Sequence, residues 1–343
     1  MEDNTLEIKR KVEEYQLNSS PTPLVSIVTV TYKQERYIRE CLDSLLAQET
    51  NFDFEILLGE DNSPDSTRQI CMEYAEKYPD KIRLFLHHRE NVISIDGVPT
   101  GRFNFIYNLT QARGKYIAVC EGDDYWTDPL KLQKQVDFLE SHPKYTICVH
   151  NSNVVDKEGK RIDDFSNRPK RLEEDALESH QIPTEKVLLN NIALFHTSSY
   201  FFRRTLDHQH KLIRGTHIKS GDFVLLYGLL NKGKCYYMSD TCSSYRMHGA
   251  GVTSAYRNKA IAETYRSYIA LYELYLNEFP TKYRSIFEYK IAYYQYLIAE
   301  NNYSKILNKW YSRFTLTYFR VRKAKSKWKG LQEKVKNQFG CVE

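Results

Sequence analysis

Short apolar runs alternate with segments of helical period in the first part of the chain, and this alternation limits the possible folds more than any other feature. Four runs have the continuous apolar character of buried strands: Leu24 to Thr31, Phe54 to Gly59, Ile82 to Leu86 and Lys115 to Cys120. After the first of them, apolar residues recur at helical spacing from Ile38 to Leu46. Strands that alternate with helices predict an α/β domain with a mainly parallel central sheet flanked by helices.

Polar and acidic residues stand directly after three of these runs. Tyr32 and Lys33 follow the first run, Glu60 and Asp61 follow the second, and Glu121-Gly122-Asp123-Asp124 follows the fourth. Ligands of parallel sheets bind in the crevice beyond the carboxyl ends of the strands. We therefore expect these three segments to meet at one edge of the sheet.

Two carboxylate clusters at one edge repel each other and raise each other's pKa unless a cation lies between them. The chain has seven cysteines but no C-x-x-C pair and no zinc-ligand spacing. Oxygen ligands without a Cys or His cluster favour Mg²⁺ or Mn²⁺, which shares its coordination sphere with a diphosphate. The sequence thus predicts a metal-assisted nucleotide site with Mn²⁺ or Mg²⁺ as the cofactor.

The composition excludes several classes of protein. With 49 basic and 44 acidic residues among 343, the net charge of +5 is too small for a nucleic-acid-binding body. The unpaired cysteines favour a reducing, cytosolic compartment. The charged N-terminal residues do not resemble a signal peptide, and no apolar run of about 20 residues predicts a membrane span. We expect a cytoplasmic protein.

Three segments resemble the nucleotide-sugar-binding half of family 2 glycosyltransferases of GT-A fold. They are PLVSIVTVTYKQERYIRECLDSLLAQ, FEILLGEDNSPDSTRQI and GKYIAVCEGDDYWTDPLKLQKQVDFL. The resemblance is strong from Leu24 to Leu139 and extends to about Thr253. It implies an inverting, metal-dependent transfer of a sugar from a nucleotide sugar, a UDP-sugar first, to a hydroxyl of a saccharide or lipid-linked saccharide. It also implies a role in bacterial polysaccharide or glycoconjugate synthesis.

The resemblance assigns roles to individual residues on the donor side. Tyr32 borders the nucleobase, Asp61 hydrogen-bonds it, and Asp123, at the last position of the family's Asp-x-Asp motif, ligates the metal. Two positions depart from the family pattern, since Lys33 replaces the usual Asn and Glu121 replaces the first Asp of the motif. The predicted donor-binding residues are Val30, Tyr32, Asp61, Arg102, Glu121 and Gly122.

On the acceptor side the resemblance points to two further residues. Ser220-Gly221-Asp222-Phe223 resembles the segment that carries the catalytic base, so Asp222 is the predicted base; an ordinary helix N-cap is the alternative. Tyr245-Arg246-Met247-His248-Gly249 resembles the loop that closes over the diphosphate, so His248 is predicted as a metal ligand or phosphate donor. A structural loop residue is the alternative for His248.

Periodicity and composition together with the resemblance predict three regions. They are an N-terminal helix from Leu6 to Leu17 with a linker (1–22), a GT-A catalytic domain (23–254, with a nucleotide-sugar half at 23–140 and an acceptor half at 141–254), and a helical, basic C-terminal region (255–343). The basic stretch Arg320 to Lys329 is compatible with a solvated helix face, a polyanion contact or a peripheral contact with the inner face of the plasma membrane.

Three alternatives to a glycosyltransferase stay open. A sugar nucleotidyltransferase is disfavoured, because its Gly-rich phosphate loop after the first strand is replaced here by Tyr-Lys-Gln-Glu-Arg. A non-catalytic nucleotide or glycan-binding scaffold would bind UDP with a metal but release none from a donor. A basic-tail protein acting on nucleic acid would show strongly salt-dependent binding.

Overall fold

The computed structural model describes residues 5–15, 22–165, 180–189, 194–249 and 261–310, with the backbone alone for 206–209 and 301–310. Contacts divide the chain into two compact units, Met1–Arg257 and Asn258–Glu343. The boundary predicted at residue 254 and the basic stretch at 320–329 lie outside the described residues.

The described strands are β1 (Glu13–Tyr15), β2 (Val25–Thr31), β3 (Phe54–Glu60), β4 (Ile82–Leu86), β5 (Ser94–Ile95), β6 (Val98–Pro99), β7 (Tyr116–Val119), β8 (Tyr125–Trp126), β9 (Tyr145–Asp156), β10 (Arg161–Asp164), β11 (Gln181–Ile182), β12 (Phe201–Arg203) and β13 (Lys234–Met247). The helices of the first unit are α1 (Ile38–Leu46), α2 (Thr67–Lys77), α3 (Arg102–Gln111), α4 (Lys131–Ser141), α5 (Thr184–Leu189), α6 (Leu206–Arg214) and α7 (Gly221–Lys232). The second unit contains α8 (Ile261–Tyr275) and α9 (Arg284–Trp310).

One large sheet forms the centre of the first unit. Its strand order is β1-β4-β3-β2-β7-β12-β9-β13-β11, with β10 paired to β9 and β8 paired to β13. The pairs β2–β3, β3–β4, β2–β7 and β9–β13 are parallel. This is the mainly parallel sheet flanked by helices that the sequence predicts. Because β2 lies between β3 and β7, the carboxyl ends of these three strands are adjacent.

Burial on both faces explains why these strands read as continuous apolar runs. All seven residues of β3 are buried, and so are six of the seven in β2. The helix α1 buries Ile38, Cys41, Leu42 and Leu45, which recur at the helical period. Burying each such aliphatic side chain stabilises the fold by about 1.5–3 kcal/mol.

The helix predicted from Leu6 to Leu17 is wrong for the described residues 5–15. Within this segment Glu13–Tyr15 form β1, which pairs antiparallel with β4, with Glu13 opposite Leu86 and Tyr15 opposite Leu84. Without β1, β4 would be an edge strand with unpaired backbone groups, and pairing satisfies them. Arg83 of β4 donates from Nε to Oε1 of Glu14 at 2.8 Å and strengthens this attachment.

Two of the larger elements without a counterpart among the sequence predictions are β13 and α3. The strand β13 is polar and irregular, and its pairing with β9 shifts register between Met238 and Thr241. The helix α3 buries polar residues together with apolar ones, among them Asn104 and Asn108. Neither pattern has a simple period of 2 or 3.6, which is why periodicity does not reveal them.

The second unit is a helical pair rich in tyrosine. The ring of Tyr294 on α9 lies 5.0 Å from the ring of Tyr268 and 6.1 Å from that of Tyr272, both on α8. These rings form the packing surface of the unit. Across the described ranges, none of the helices combines the length and hydropathy needed to cross a bilayer.

Candidate functional site

The carboxyl ends of β2, β3 and β7 bring the predicted donor-side residues to one edge of the sheet. The backbone N–H of Asp61 donates to the carbonyl of Thr31 at 3.1 Å, and that of Gly122 donates to the carbonyl of Val30 at 3.0 Å. The segments after β3 and β7 are thus both hydrogen-bonded to the end of β2. Asp61 and the 121–124 motif flank the same strand end, as the sequence predicts.

Gly122 is the point of closest approach between the motif and β2. A Cβ at this position would lie 2.9 Å from Cβ of Thr31 and 2.5 Å from Oε1 of Gln34. Real Cβ atoms do not approach other atoms so closely, so a side chain here would push the acidic motif away from the strand. Packing therefore requires the Gly within the motif. The carbonyl of Val30 accepts the hydrogen bond from the backbone N–H of Gly122.

Tyr32 and Asp61 are joined by an arginine that the sequence analysis missed. Nη1 of Arg89 lies 2.5 Å from Oδ2 of Asp61, and its guanidinium lies 4.1 Å from the centre of the Tyr32 ring. Arg89 begins a short 3₁₀ turn three residues after β4. Since β4 is the next parallel strand beyond β3, its position after that strand is the signal that points to it.

Burial controls the charge of Asp61. Its side chain is only 6% exposed. Burial raises the pKa of the Asp61 carboxyl to about 7, although Arg89 opposes this rise. An acid in this environment is poised to hydrogen-bond a polar edge in either protonation state.

Asp61→Asn is expected to flatten the pH dependence of stability. The folded carboxyl binds its proton more tightly than the unfolded one, so Asp61 makes the wild type gain stability as the pH falls from about 7 towards 4. The amide has no such gain. Calorimetric melting between pH 5 and 8 would measure the difference in slope.

The control for this experiment is Asp53→Asn, because Asp53 is an exposed acid just before β3. It should keep the wild-type profile. Superimposable melting profiles for the wild type and Asp61→Asn would contradict the assignment.

Asp123 and His248 lie together, as predicted for a metal site. Nε2 of His248 is 2.8 Å from Oδ2 of Asp123, and the two side chains are 12% and 14% exposed. The His248 ring packs 5.2 Å from the ring of Tyr37 at the start of α1. A carboxylate oxygen and an imidazole nitrogen are both ligands of Mn²⁺. This pair therefore fits a divalent ion.

A complete metal cage is not present: within the described ranges, no group of three or more His, Cys, Asp and Glu side chains is arranged to hold an ion. Mg²⁺ and similar ions at nucleotide sites take few protein ligands and complete their shell with phosphate and water. The Asp123–His248 pair matches that pattern.

Arg246 holds the acidic motif from β13. Its N–H donates to Oδ1 of Asp124 at 2.9 Å, and its Nε donates to the carbonyl of Asp123 at 3.1 Å. Its Nη2 pairs with Glu40 on α1. Asp124 is buried, which raises its pKa well above the ordinary value. Asp124 and Arg246 fix the backbone that presents Asp123.

Glu121 points towards the acceptor half. Its Oε1 accepts from Oγ1 of Thr197 at 3.2 Å. Surrounding protein atoms displace water from the carboxyl and raise its pKa to about 7, with Asp123 and Asp222 adding to the rise, although part of the residue is exposed. Thr197 has no local sequence signal and was missed.

Asp222 lies in the first turn of α7, where Ser220 is the N-cap residue. It therefore does not occupy the N-cap position that was the alternative for it. Loss of solvent raises the pKa of the Asp222 carboxyl, while the backbone N–H of Phe223 and the charge of Arg102 oppose the rise. Its charge adds to the rise in the pKa of Glu121. A carboxylate with a raised pKa is suited to accept a proton near neutral pH.

Arg102 is placed differently from the other predicted donor-side residues. It is buried at the start of α3, and its Nη1 and Nη2 donate to the carbonyls of Gly215 and Ile218 at 2.9 and 2.8 Å. The structure thus gives its guanidinium backbone partners in the segment before α7, and the donor-binding role of Arg102 stays a prediction.

Comparison with known proteins gives one family and several relatives. The family described as Glycosyl transferase family 2 matches residues 26–210. An uncharacterized protein of Mycobacterium tuberculosis is 35% identical over 236 residues, which are 68% of this chain and 62% of that protein. The chain thus matches less than two thirds of that relative's length.

Two solved structures share the fold. Staphylococcus aureus TarS 1–349 in complex with UDP-GlcNAc has a TM-score of 0.54 at 18% identity, covering 79% of this chain and 71% of that one. The mannosyltransferase PcManGT of Pyrobaculum calidifontis, in complex with GDP-Man and Mn²⁺, has a TM-score of 0.52 at 17% identity, covering 92% and 84%.

Proposed function

The chain belongs to glycosyl transferase family 2, and on that premise we propose that it transfers a sugar from a UDP-sugar to an acceptor hydroxyl with inversion. One observation carries the proposal. Asp61 and the motif that contains Asp123 flank the end of β2, and the charge of Asp222 on α7 adds to the raised pKa of Glu121 in the same motif. This arrangement supports nucleotide and metal positions at one sheet edge, with the proposed base acting on the same motif.

Asp61, Arg89 and Tyr32 form the nucleobase end of the proposed site. A carboxyl and a guanidinium beside an aromatic ring offer hydrogen bonds and a flat surface to a base. The structure of TarS, which has the same fold, is a complex with UDP-GlcNAc, and this similarity supports a uridine donor. PcManGT, a complex with GDP-Man, makes a guanosine donor the alternative.

Asp123 and His248 would hold Mn²⁺ or Mg²⁺ against the donor diphosphate. The ion, when bound, neutralises the charge that develops on the leaving diphosphate. The Mn²⁺ in the PcManGT complex supports this cofactor. The chain's own contribution is the rigid presentation of Asp123, which Arg246 and Asp124 provide.

Asp222 is the proposed general base. It takes the proton of the acceptor hydroxyl while the oxygen forms a bond to the anomeric carbon and the bond from that carbon to the diphosphate breaks. Attack from the face opposite the leaving group inverts the configuration. The carboxyl's raised pKa increases its affinity for the proton that it must accept.

A saccharide or lipid-linked saccharide is the proposed acceptor, in bacterial polysaccharide or glycoconjugate synthesis at the cytoplasmic side of the membrane. Relatives from bacteria support this setting. The basic stretch at 320–329, which would make a peripheral membrane contact, lies outside the described residues.

A thermal-shift screen tests the donor class. We expect UDP to raise the melting temperature in Mn²⁺ and to lose most of this effect in EDTA, because the phosphates and the carboxylates need a cation between them. A ligand at 100 times its Kd stabilises the protein by about 2.7 kcal/mol. GDP and ADP are the matched nucleotides, and a larger shift with GDP would select the guanosine alternative.

Release of UDP from UDP-GlcNAc, UDP-glucose and UDP-galactose then separates an enzyme from a scaffold. A transferase should release UDP slowly to water and faster with a saccharide acceptor. UDP binding without any release would favour the non-catalytic scaffold. UDP binding that ignores EDTA would contradict the proposed metal dependence.

A further inference from the structure

The segment at 215–221 connects the end of α6 to the start of α7, and Asp222 follows it directly. Arg102 reaches this segment from α3. Its Nη1 donates to the carbonyl of Gly215 at 2.9 Å, and its Nη2 donates to those of Ile218 and Lys219 at 2.8 and 3.3 Å. Arg102 is 8% exposed. One buried guanidinium therefore bridges three carbonyls in the six residues before the helix that carries the base.

A second attachment joins the same segment to the same part of the donor half. Nζ of Lys219 lies 2.8 Å from Oδ2 of Asp96, and the Lys219 side chain is 7% exposed. Asp96 and Gly97 form the tight turn between β5 and β6, with φ angles of 50° and 75°. The β5–β6 hairpin ends shortly before Arg102 in the chain, so the two attach neighbouring residues to the 215–221 segment.

Gly221 shows how closely the guanidinium lies against the backbone next to Asp222. A Cβ at Gly221 would be 2.6 Å from Cζ and Nη2 of Arg102. No side chain fits at this position unless the guanidinium moves. The contact therefore fixes the backbone of the residue that immediately precedes Asp222.

We propose that Arg102 is a positioning residue for the Asp222 carboxylate, which it sets through the backbone of residues 215–221. The Asp96–Lys219 ion pair is the second part of this clamp. The inference rests on the proposed function, which makes Asp222 the base. Arg suits the task because its planar, rigid fork donates to several acceptors at once, whereas Lys is a flexible point charge.

Displacement of a catalytic group by about 1 Å is enough to lower a rate by about 100-fold. The clamp contacts given by the structure lie on the segment before the base, whereas Asp61 and Arg89 form the nucleobase end. A change in Arg102 should therefore alter turnover and leave nucleotide affinity unaltered. A donor-binding role, as the family resemblance implies, would do the opposite.

The test compares Arg102→Gln, Arg102→Lys and Gly221→Ala with the wild type. UDP affinity is measured by calorimetry in Mn²⁺, and turnover is measured as UDP release at saturating donor, from whichever of UDP-GlcNAc, UDP-glucose and UDP-galactose the wild type consumes. We expect kcat to fall about 30- to 100-fold in Arg102→Gln, with the Kd for UDP within about threefold. Gly221→Ala, which displaces an intact Arg102, should show the same split, and Arg102→Lys should recover only a small part.

Arg203→Gln is the matched control. Arg203 also donates to a backbone carbonyl, that of Tyr145 at 3.0 Å, and to the hydroxyl of Tyr116, but it makes no contact with the 215–221 segment. This variant should lower the melting temperature and keep the wild-type kcat. A kcat loss in Arg203→Gln as large as that in Arg102→Gln would reduce the effect to general destabilisation and overturn the proposal.

Hydrogen exchange supplies a readout that does not need activity. The amides of Ile218 and Val224, which donate to the carbonyls of Gly215 and Ser220, should exchange at least about tenfold faster in Arg102→Gln, while the amides of β2 should not change. Unaltered exchange there would overturn the clamp. A weaker Kd for UDP with unaltered kcat would reassign Arg102 to the donor. A wild type that neither binds nor releases UDP would instead refute the proposed function, with exchange still deciding the clamp.

Discussion

Asp222→Asn should lower the rate of sugar transfer by about 10³ while UDP binding stays intact. The amide keeps the size of the side chain but cannot accept the proton of the acceptor hydroxyl. General bases contribute about 10² to 10⁴ to enzymatic rates, so the loss should lie in the middle of that range. Turnover is measured as UDP release at saturating donor, and UDP affinity by calorimetry in Mn²⁺.

The raised pKa of Asp222 adds a second expected result. Only the ionised carboxylate acts as a base, so the wild-type kcat should fall as the pH is lowered through that raised pKa. The residual activity of Asp222→Asn should lack this acid limb. Arg102 and the backbone N–H groups of Phe223 and Asp222 act on the Asp222 carboxyl and do not titrate in this range. Glu121, whose pKa is raised to about 7 partly by Asp222, does titrate there, so the acid limb belongs to the coupled pair.

Asp128→Asn is the matched control. Asp128 also accepts from a backbone N–H at a helix start, that of Leu130 at 2.9 Å, and it pairs with Lys134. It should lose stability and keep the wild-type kcat. Transfer by Asp222→Asn at near wild-type rates would remove Asp222 as the base.

The proposed donor side of the site was accessible to sequence reasoning because its residues follow strands directly. A strand buried on both faces reads as a continuous apolar run, so the ends of β2, β3 and β7 are visible in the sequence. The residues after those ends must then meet at one edge. Tyr32, Asp61 and the motif with Asp123 were found by this argument together with the family resemblance.

The remaining residues depend on contacts between distant parts of the chain. Arg89 reaches Asp61 only because β4 lies beside β3. The carbonyls that accept from Arg102 lie more than 110 residues later in the chain. A sequence shows that an arginine is present but not which acceptors surround it. The helix predicted for the N-terminal segment was wrong for the same reason, because β1 forms by pairing with β4, which is distant in the sequence.

Asp123→Asn should abolish the metal-dependent part of UDP binding. Loss of the carboxylate removes the anionic oxygen of the Asp123–His248 pair, so the Kd for UDP in Mn²⁺ should rise at least about tenfold, the minimum seen even for changes around a metal site. The Kd in EDTA should not change. Turnover should fall by about 10² to 10³, the usual cost of losing one element of transition-state charge stabilisation. Calorimetry with and without EDTA and the UDP-release assay give these three values.

Stability distinguishes this loss from misfolding. Asp123 and Glu121 are like charges in one recess, and Asp123 raises the pKa of Glu121. Neutralising Asp123 relieves that repulsion, so the melting temperature of the ligand-free variant should equal or exceed that of the wild type. A parallel variant is His248→Gln, and its control is His142→Gln. His142 is an exposed histidine that follows α4, so His142→Gln should bind UDP like the wild type. Wild-type UDP affinity in Mn²⁺ for Asp123→Asn would show that the diphosphate is held without this carboxylate, and the electrostatic basis of the proposed donor site would then be wrong.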